Sequence, residues 1–201
     1  LSEGMRVQYF WSLAGVRHLA ADSYMRKQKG ELDWIRQAML AWSIPINLSY
    51  VDSSKIFSEM ERIDLVLKNW INDQLNYFVK SAKREEKKAK TFKYWGNIAF
   101  ATGLFIAFIE MSLDFILDDY NPLTKFTIII GITQLMGALL YGYAEKRLFA
   151  EHSKQYARMG TLFSNAKRRI VEFLSMNDYK NARDVVEQLG RESLVENGDW
   201  V

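Results

Sequence analysis

The chain holds 201 residues, with 27 Lys and Arg against 24 Asp and Glu, a formal net charge of +3 and an apolar fraction of 49%. It contains no cysteine, which excludes disulfide scaffolds, Cys-based zinc sites and thiol nucleophiles, and its two histidines, His18 and His152, leave a multi-histidine metal site little to draw on. A net charge this small does not by itself argue for nucleic acid.

Only two prolines and eleven glycines interrupt the chain, which favours long helices over a many-turned β fold. The mean hydropathy of −0.18 hides a strongly apolar middle between two charged arms. Leu1 is not an initiator Met and Trp200-Val201 carries no stop signal, so the sequence reads as a segment of a longer protein.

In chain order, Met5, Tyr9, Leu13, Val16, Ala20 and Tyr24 recur at steps of three and four and predict one amphipathic helix. Leu32, Ile35, Met39 and Trp42 continue the spacing beyond Gly30 and stop near Pro45, whose missing N–H discourages a helix. The aromatics of this arm fit a membrane-surface helix, but an ordinary helical core accounts for them more simply. Residues 43–54 are rich in turn and cap formers and make the best linker. A long helix is expected next, with Ile56, Met60, Ile63, Leu67, Trp70, Ile71, Leu75 and Phe78 on one face. Its later part turns basic through Lys80, Lys83, Arg84, Lys87, Lys88, Lys90 and Lys93, and no proline separates it from the apolar segment.

Tyr94 to Ile109 are uncharged, and the apolar character resumes to Leu117 with only Glu110 and Asp114 interrupting. Phe126 to Ala144 are again uncharged, a run that reaches roughly 28 Å as a helix, against the ~30 Å of hydrocarbon in a bilayer. The short, mostly acidic connection 118–125 makes the two segments antiparallel neighbours. Both outer flanks are basic, through the seven residues above and through Lys146, Arg147, Lys154 and Arg158, so the positive-inside rule puts both arms in the cytoplasm. Tyr94, Trp95, Tyr141 and Tyr143 would sit at one interface, and Phe115, Tyr120 and Phe126 at the other. The competing reading is a hairpin buried inside a soluble helical protein. The expected architecture is all-α: cytoplasmic helices and linker over 1–53, a helix leading into the membrane over 54–93, a two-transmembrane hairpin over 94–144, and C-terminal cytoplasmic helices over 145–201, packed as a bundle and oligomeric.

On the first span, Gly96, Ala99, Gly103, Ala107, Glu110 and Asp114 share a narrow arc. On the second, Thr127, Gly131, Gln134, Ala138, Gly142 and Glu145 repeat the pattern, while Ile128, Ile129, Ile132, Leu135, Leu139 and Leu140 point elsewhere. Small residues let helices approach closely, which gives Gly96, Ala99, Gly103, Ala107, Gly131, Ala138 and Gly142 a packing role. Glu110 is costly in hydrocarbon and should face protein or water. A ring of Glu110 side chains would attract cations in a pore, and two helices per chain require an oligomer to enclose one. Asp114, one turn on, is either a further pore-lining carboxylate or simply interfacial, and Gln134 is expected to bond Glu110, to line the lumen, or only to pack between the helices.

After Ala144, Leu148, His152, Tyr156, Met159, Phe163, Ala166, Ile170 and Phe173 mark a charged helix. Asn177-Asp178 then gives a turn and cap, and Ala182, Val185, Leu189 and Leu194 mark a final helix ending at Asn197-Gly198. His152 reads as a packing or polar residue rather than a ligand. No GxGxxG, Walker-type loop, HExxH or Gly-x-Ser-x-Gly elbow occurs, so no enzyme, cofactor or metal site is expected. The basic run before the first span reads as a juxtamembrane anchor for anionic lipid rather than a nucleic-acid site.

The opening Met5-Arg6-Val7-Gln8-Tyr9-Phe10-Trp11, the Tyr24-Met25-Arg26-Lys27-Gln28 and Glu31-Leu32-Asp33-Trp34-Ile35-Arg36 stretches, the hairpin, and the closing Leu189-Gly190-Arg191-Glu192-Ser193-Leu194-Val195-Glu196-Asn197-Gly198-Asp199-Trp200 together resemble the SLATT group, the SMODS- and SLOG-associating two-transmembrane proteins of bacteria. The resemblance implies a multi-pass inner-membrane effector of bacterial defence that acts as a pore when a linked nucleotide-sensing domain or partner binds its ligand. No SLOG-like Gly-rich pocket is visible in this sequence, so such a sensor would lie outside it. The alternative is a membrane-anchored helical scaffold without pore activity.

Overall fold

The computed structural model describes residues 2–23, 34–41, 57–116 and 124–198, and among them every regular element is helical. In order these are α1 (Ser2–Ala14), α2 (Ala20–Ser23), a helical stretch over 34–41 (α3), α4 (Glu59–Val66), a π turn (Leu67–Ile71), α5 (Asn72–Ile116), α6 (Thr124–Lys146), α7 (Phe149–Ser175) and α8 (Tyr179–Gly198). The chain divides into two compact units, one of Leu1–Phe78 with Arg158–Val201 and one of Val79–Ala157.

In the first unit, the helix expected from Met5 to Tyr24 is two helices. Gly15 takes a φ of 85°, which a residue with a Cβ rarely adopts, and the Val16 N–H donates to Trp11 O at 2.8 Å, closing α1 at its C-terminus. The buried stripe also differs from the one expected: Gly4, Val7, Gln8, Trp11 and Ala14 face inward, whereas Tyr9 is 55% exposed. Gly4 belongs to that stripe because Met39 of α3 occupies the space its side chain would fill. Tyr24, Gly30, Leu32, Trp42, Pro45 and the 43–54 linker lie outside the described residues.

Helix α4 begins at a capping box: the Ser58 N–H donates to Glu61 Oε2 at 2.8 Å, and the Glu61 N–H donates to Ser58 Oγ at 3.3 Å. Donation to the Glu61 carboxylate from the Ser58 N–H and from the Ser58 hydroxyl, the latter at 2.9 Å, holds it below the usual carboxylate range. The π turn continues the helix without ending it, and its Leu67, Trp70 and Ile71 are all buried, whereas Met60 of α4, expected on the same face, is exposed. Phe10 stacks on Trp70 with ring centroids 5.5 Å apart, and Trp70 meets Phe163 of α7 edge-on at 5.9 Å. The turn into α8 follows the Asn177-Asp178 expectation: Asn177 has a φ of 56° and the Asn181 N–H donates to Asp178 Oδ1 at 3.1 Å. Helix α8 turns Ala182, Val186, Leu189, Ser193 and Leu194 into the core, and Trp11 Nε1 donates to Val186 O at 3.2 Å. On its surface Glu187 accepts from Arg191 at 2.7 Å and pairs with His18 at 2.9 Å. Partial burial raises the Glu187 pKa, but the hydrogen bonds from Arg191 and His18, with the Arg191 charge, outweigh it and leave the carboxyl below its ordinary value.

The second unit consists of most of α5, all of α6 and the first turns of α7. Leu148, expected on the apolar stripe of α7, instead stands in the break between α6 and α7 with a φ of 50° and is half exposed. Phe149 takes the inward position, with Phe92 stacked on it at 5.6 Å. Ser153 Oγ donates to Ala82 O at 3.0 Å, tying α7 to α5 within this unit. The helical runs Glu59–Leu113 and Phe126–Ser175 are each long and apolar enough to cross a membrane, and only 11% and 6% of their most apolar windows is buried.

Candidate functional site

The antiparallel pair α5 and α6 meets along a seam made by glycine. A Cβ on Gly96 would stand 2.8 Å from the Tyr141 ring and 3.6 Å from Gly137 O, and one on Gly137 would stand 2.9 Å from the Phe100 ring. Gly96 and Gly137 therefore face each other, with Phe100 and Tyr141 folded over them, their rings 6.1 Å apart. Further along, Gly103 is covered by the side chains of Thr133 and Gln134, the former 2.6 Å from where a Cβ would sit. Close approach of this kind requires the missing side chains.

Polar groups bridge the seam at three levels. The Tyr141 hydroxyl donates to Asn97 Oδ1. Gln134 Nε2 donates to Phe100 O at 3.4 Å, using a lone pair that the carbonyl retains beyond its own helical bond. Thr127 Oγ1 donates to Glu110 Oε1 at 3.4 Å. The expected partnership of Gln134 with Glu110 is thus replaced: Phe100 and Glu110 lie ten residues apart, roughly 15 Å of helical rise, which puts Gln134 level with the former.

Of the small residues expected to pack, Gly96 and Gly103 are buried in the seam and Ala99 and Ala107 are half-buried. Nothing lies within 4 Å of the point a Cβ would take on Gly131 or on Gly142, and Ala138 is exposed. Glu110 is half-buried, and the side chain of Asp114 lies outside the described residues, as do those of Phe115 and Tyr120. Gly137, Tyr141, Asn97 and Thr133 also belong to the seam, although the small-residue stripes expected to pack do not include them. The sequence does carry a signal for two of them: Thr127, Gln134, Gly137 and Tyr141 also fall at helical spacing, so two stripes of α6 pass through Thr127 and Gln134.

Away from the seam the pair is apolar and uncovered. Leu104, Phe105 and Phe108 of α5 and Ile132, Leu135 and Leu139 of α6 are all more than half exposed. Tyr94 and Trp95 stand out at the start of the first apolar segment and Tyr143 at the end of the second. Before the first segment, Glu85 is buried with Arg84 at 3.2 Å and Lys88 at 2.9 Å. Burial raises its pKa, but the bonds and charges of the two cations together leave it below the ordinary value. Among the described residues no three His, Asp or Glu side chains converge as a metal site would need.

Comparison with protein-family models, curated proteins and solved structures finds no match.

Proposed function

We propose that the chain is a two-span membrane protein that assembles into a pore or ion channel. The observation that carries this reading is the surface of α6, which divides into three sectors. One is closed against α5, one is bulky and apolar, and a third carries Gly131, Ala138 and Gly142 with nothing over it. Apolar surface this extensive on both helices is suited to lipid rather than water. The third sector, small and smooth, suits close approach by a hairpin of another copy.

In this assembly Glu110 supplies the charge that attracts cations. Thr127 reaches one of its carboxylate oxygens, and the other remains for an ion or its water. Gln134 steadies the seam through Phe100 O, and both arms lie in the cytoplasm, as the basic flanks require. The resemblance to SLATT proteins extends the proposal to an inner-membrane effector of bacterial defence, opened by a nucleotide-sensing domain or partner.

Reconstitution of the purified chain in liposomes tests this. The expected result is cation flux whose preference over anions falls at least several-fold in Glu110→Gln. An unchanged preference removes Glu110 from the conduction path. No flux in either form, with and without candidate nucleotides, favours the second reading, a membrane-anchored scaffold, which the closed seam and the satisfied Glu110–Thr127 contact also support.

A further inference from the structure

We propose that a groove on α5, immediately before the first apolar segment, binds the headgroup of an anionic membrane phospholipid. The site rests on the membrane-spanning reading of the hairpin. Lys83, Lys87, Lys90 and Tyr94 follow one another at steps of four, three and four, which aligns them on one face of the helix, and Trp95 flanks them. Together with Glu86 they line a shallow groove of about 440 Å³.

The basic run before the span is divided between two tasks. Arg84 and Lys88 turn to the buried carboxylate of Glu85, and the Lys88 ammonium also lies 5.4 Å from the centroid of the Phe149 ring. Both cations are thus spent on Glu85 within α5, and Lys88 also reaches α7 through the Phe149 ring. On the groove, Lys90 is held by Glu86 at 2.6 Å. Lys83 and Lys87 have no carboxylate partner among the described residues, so the groove presents two uncompensated ammonium groups on successive turns.

Depth agrees with charge. Tyr94 and Trp95 are 62% and 55% exposed, and amphipathic rings of this kind settle at the level of lipid headgroups. Lys87 lies eight residues before Trp95, roughly 12 Å of rise, and a lysine stem of about 6 Å can bend its ammonium back toward the phosphate plane. Paired ammonium groups above an aromatic floor match a phosphodiester whose acyl chains run down beside Trp95 and Phe105.

The test reconstitutes the full chain in phosphatidylcholine vesicles containing a minority of phosphatidylglycerol, extracts it in mild detergent and counts the lipid that co-purifies by mass spectrometry. The expected result is phosphatidylglycerol enriched over its bulk ratio, with K83Q/K87Q lowering that enrichment by roughly tenfold. K167Q/R168Q removes the same charge from the other unit and leaves the enrichment in place. Equal enrichment in K83Q/K87Q and the native chain, or equal loss in both variants, overturns the groove. Displacement of the lipid by millimolar inorganic phosphate would make it a free-phosphate site and overturn the lipid assignment. Alkaline carbonate separates the two levels: a chain stripped from the vesicles sinks the membrane reading and the groove with it. A chain that stays but recovers no excess phosphatidylglycerol sinks the groove alone.

Discussion

Gly190 of α8 lies directly beneath Trp11. A Cβ there would meet the indole Nε1, with Cε2 at 2.6 Å and Val7 Cγ1 at 2.8 Å. Trp11 is fully buried and its indole is fixed by the bond to Val186 O, so it has nowhere to move. Gly190→Ala should therefore destabilise the chain by about 1–3 kcal/mol, the usual cost of overpacking a core. Gly4 offers the contrast. A Cβ there meets Met39 Cε at 2.6 Å, the far end of a flexible thioether that can swing aside, so Gly4→Ala should cost less. Thermal midpoints of the two variants in detergent, read by circular dichroism, check the order; an equal or larger loss for Gly4→Ala would refute it. Neither glycine is legible in the sequence as a packing residue, because a glycine on a helix announces neither what covers it nor how rigid that cover is.

At the level of the element, the seam between α5 and α6 fixes what each face of the hairpin is for. Gly103 is enclosed by Thr133 and Gln134, whereas Gly131 is open, although both glycines fall on small-residue stripes of equal clarity in the sequence. Gly103→Leu should push the helices apart, break the Gln134–Phe100 bond and lower stability by roughly 1–3 kcal/mol. Gly131→Leu should leave the stability of the single hairpin nearly unchanged. The same midpoint measurement, made on monomer isolated by size exclusion, compares them, and equal effects would show that the seam has been assigned to the wrong stripe. The break of α1 at Gly15 escapes the sequence for a related reason: periodicity continues through Val16 and Ala20 even though the helix ends between Ala14 and Ala20.

For the whole molecule the decisive question is whether copies meet on the open sector of α6. The chain has no cysteine, so single cysteines report contacts without background. Oxidation in membranes should cross-link G131C and A138C into dimers, while I129C, on the bulky face about 160° around the helix from Gly131, should stay monomeric. Equal yields at all three positions would exclude a specific interface on that sector. A conducting pore requires both this cross-linking pattern and the Glu110-dependent flux, whereas a scaffold can show the first without the second.

The sequence by itself determined the helical class, the two long apolar segments, the turn at Asn177-Asp178 and the crowding of basic residues before the first segment. These follow from local periodicity, turn chemistry and charge, which any short window of chain displays. Only the tertiary structure decided that Gly137 and Tyr141, rather than Gly131 and Gly142, face α5, that Thr127 and not Gln134 reaches Glu110, and which lysines are already neutralised. A helical stripe specifies a direction around one axis, but its partner is set by the axial offset and rotation of a second helix, and those depend on the bulk of rings such as Phe100 and Tyr141 that lie far away in sequence.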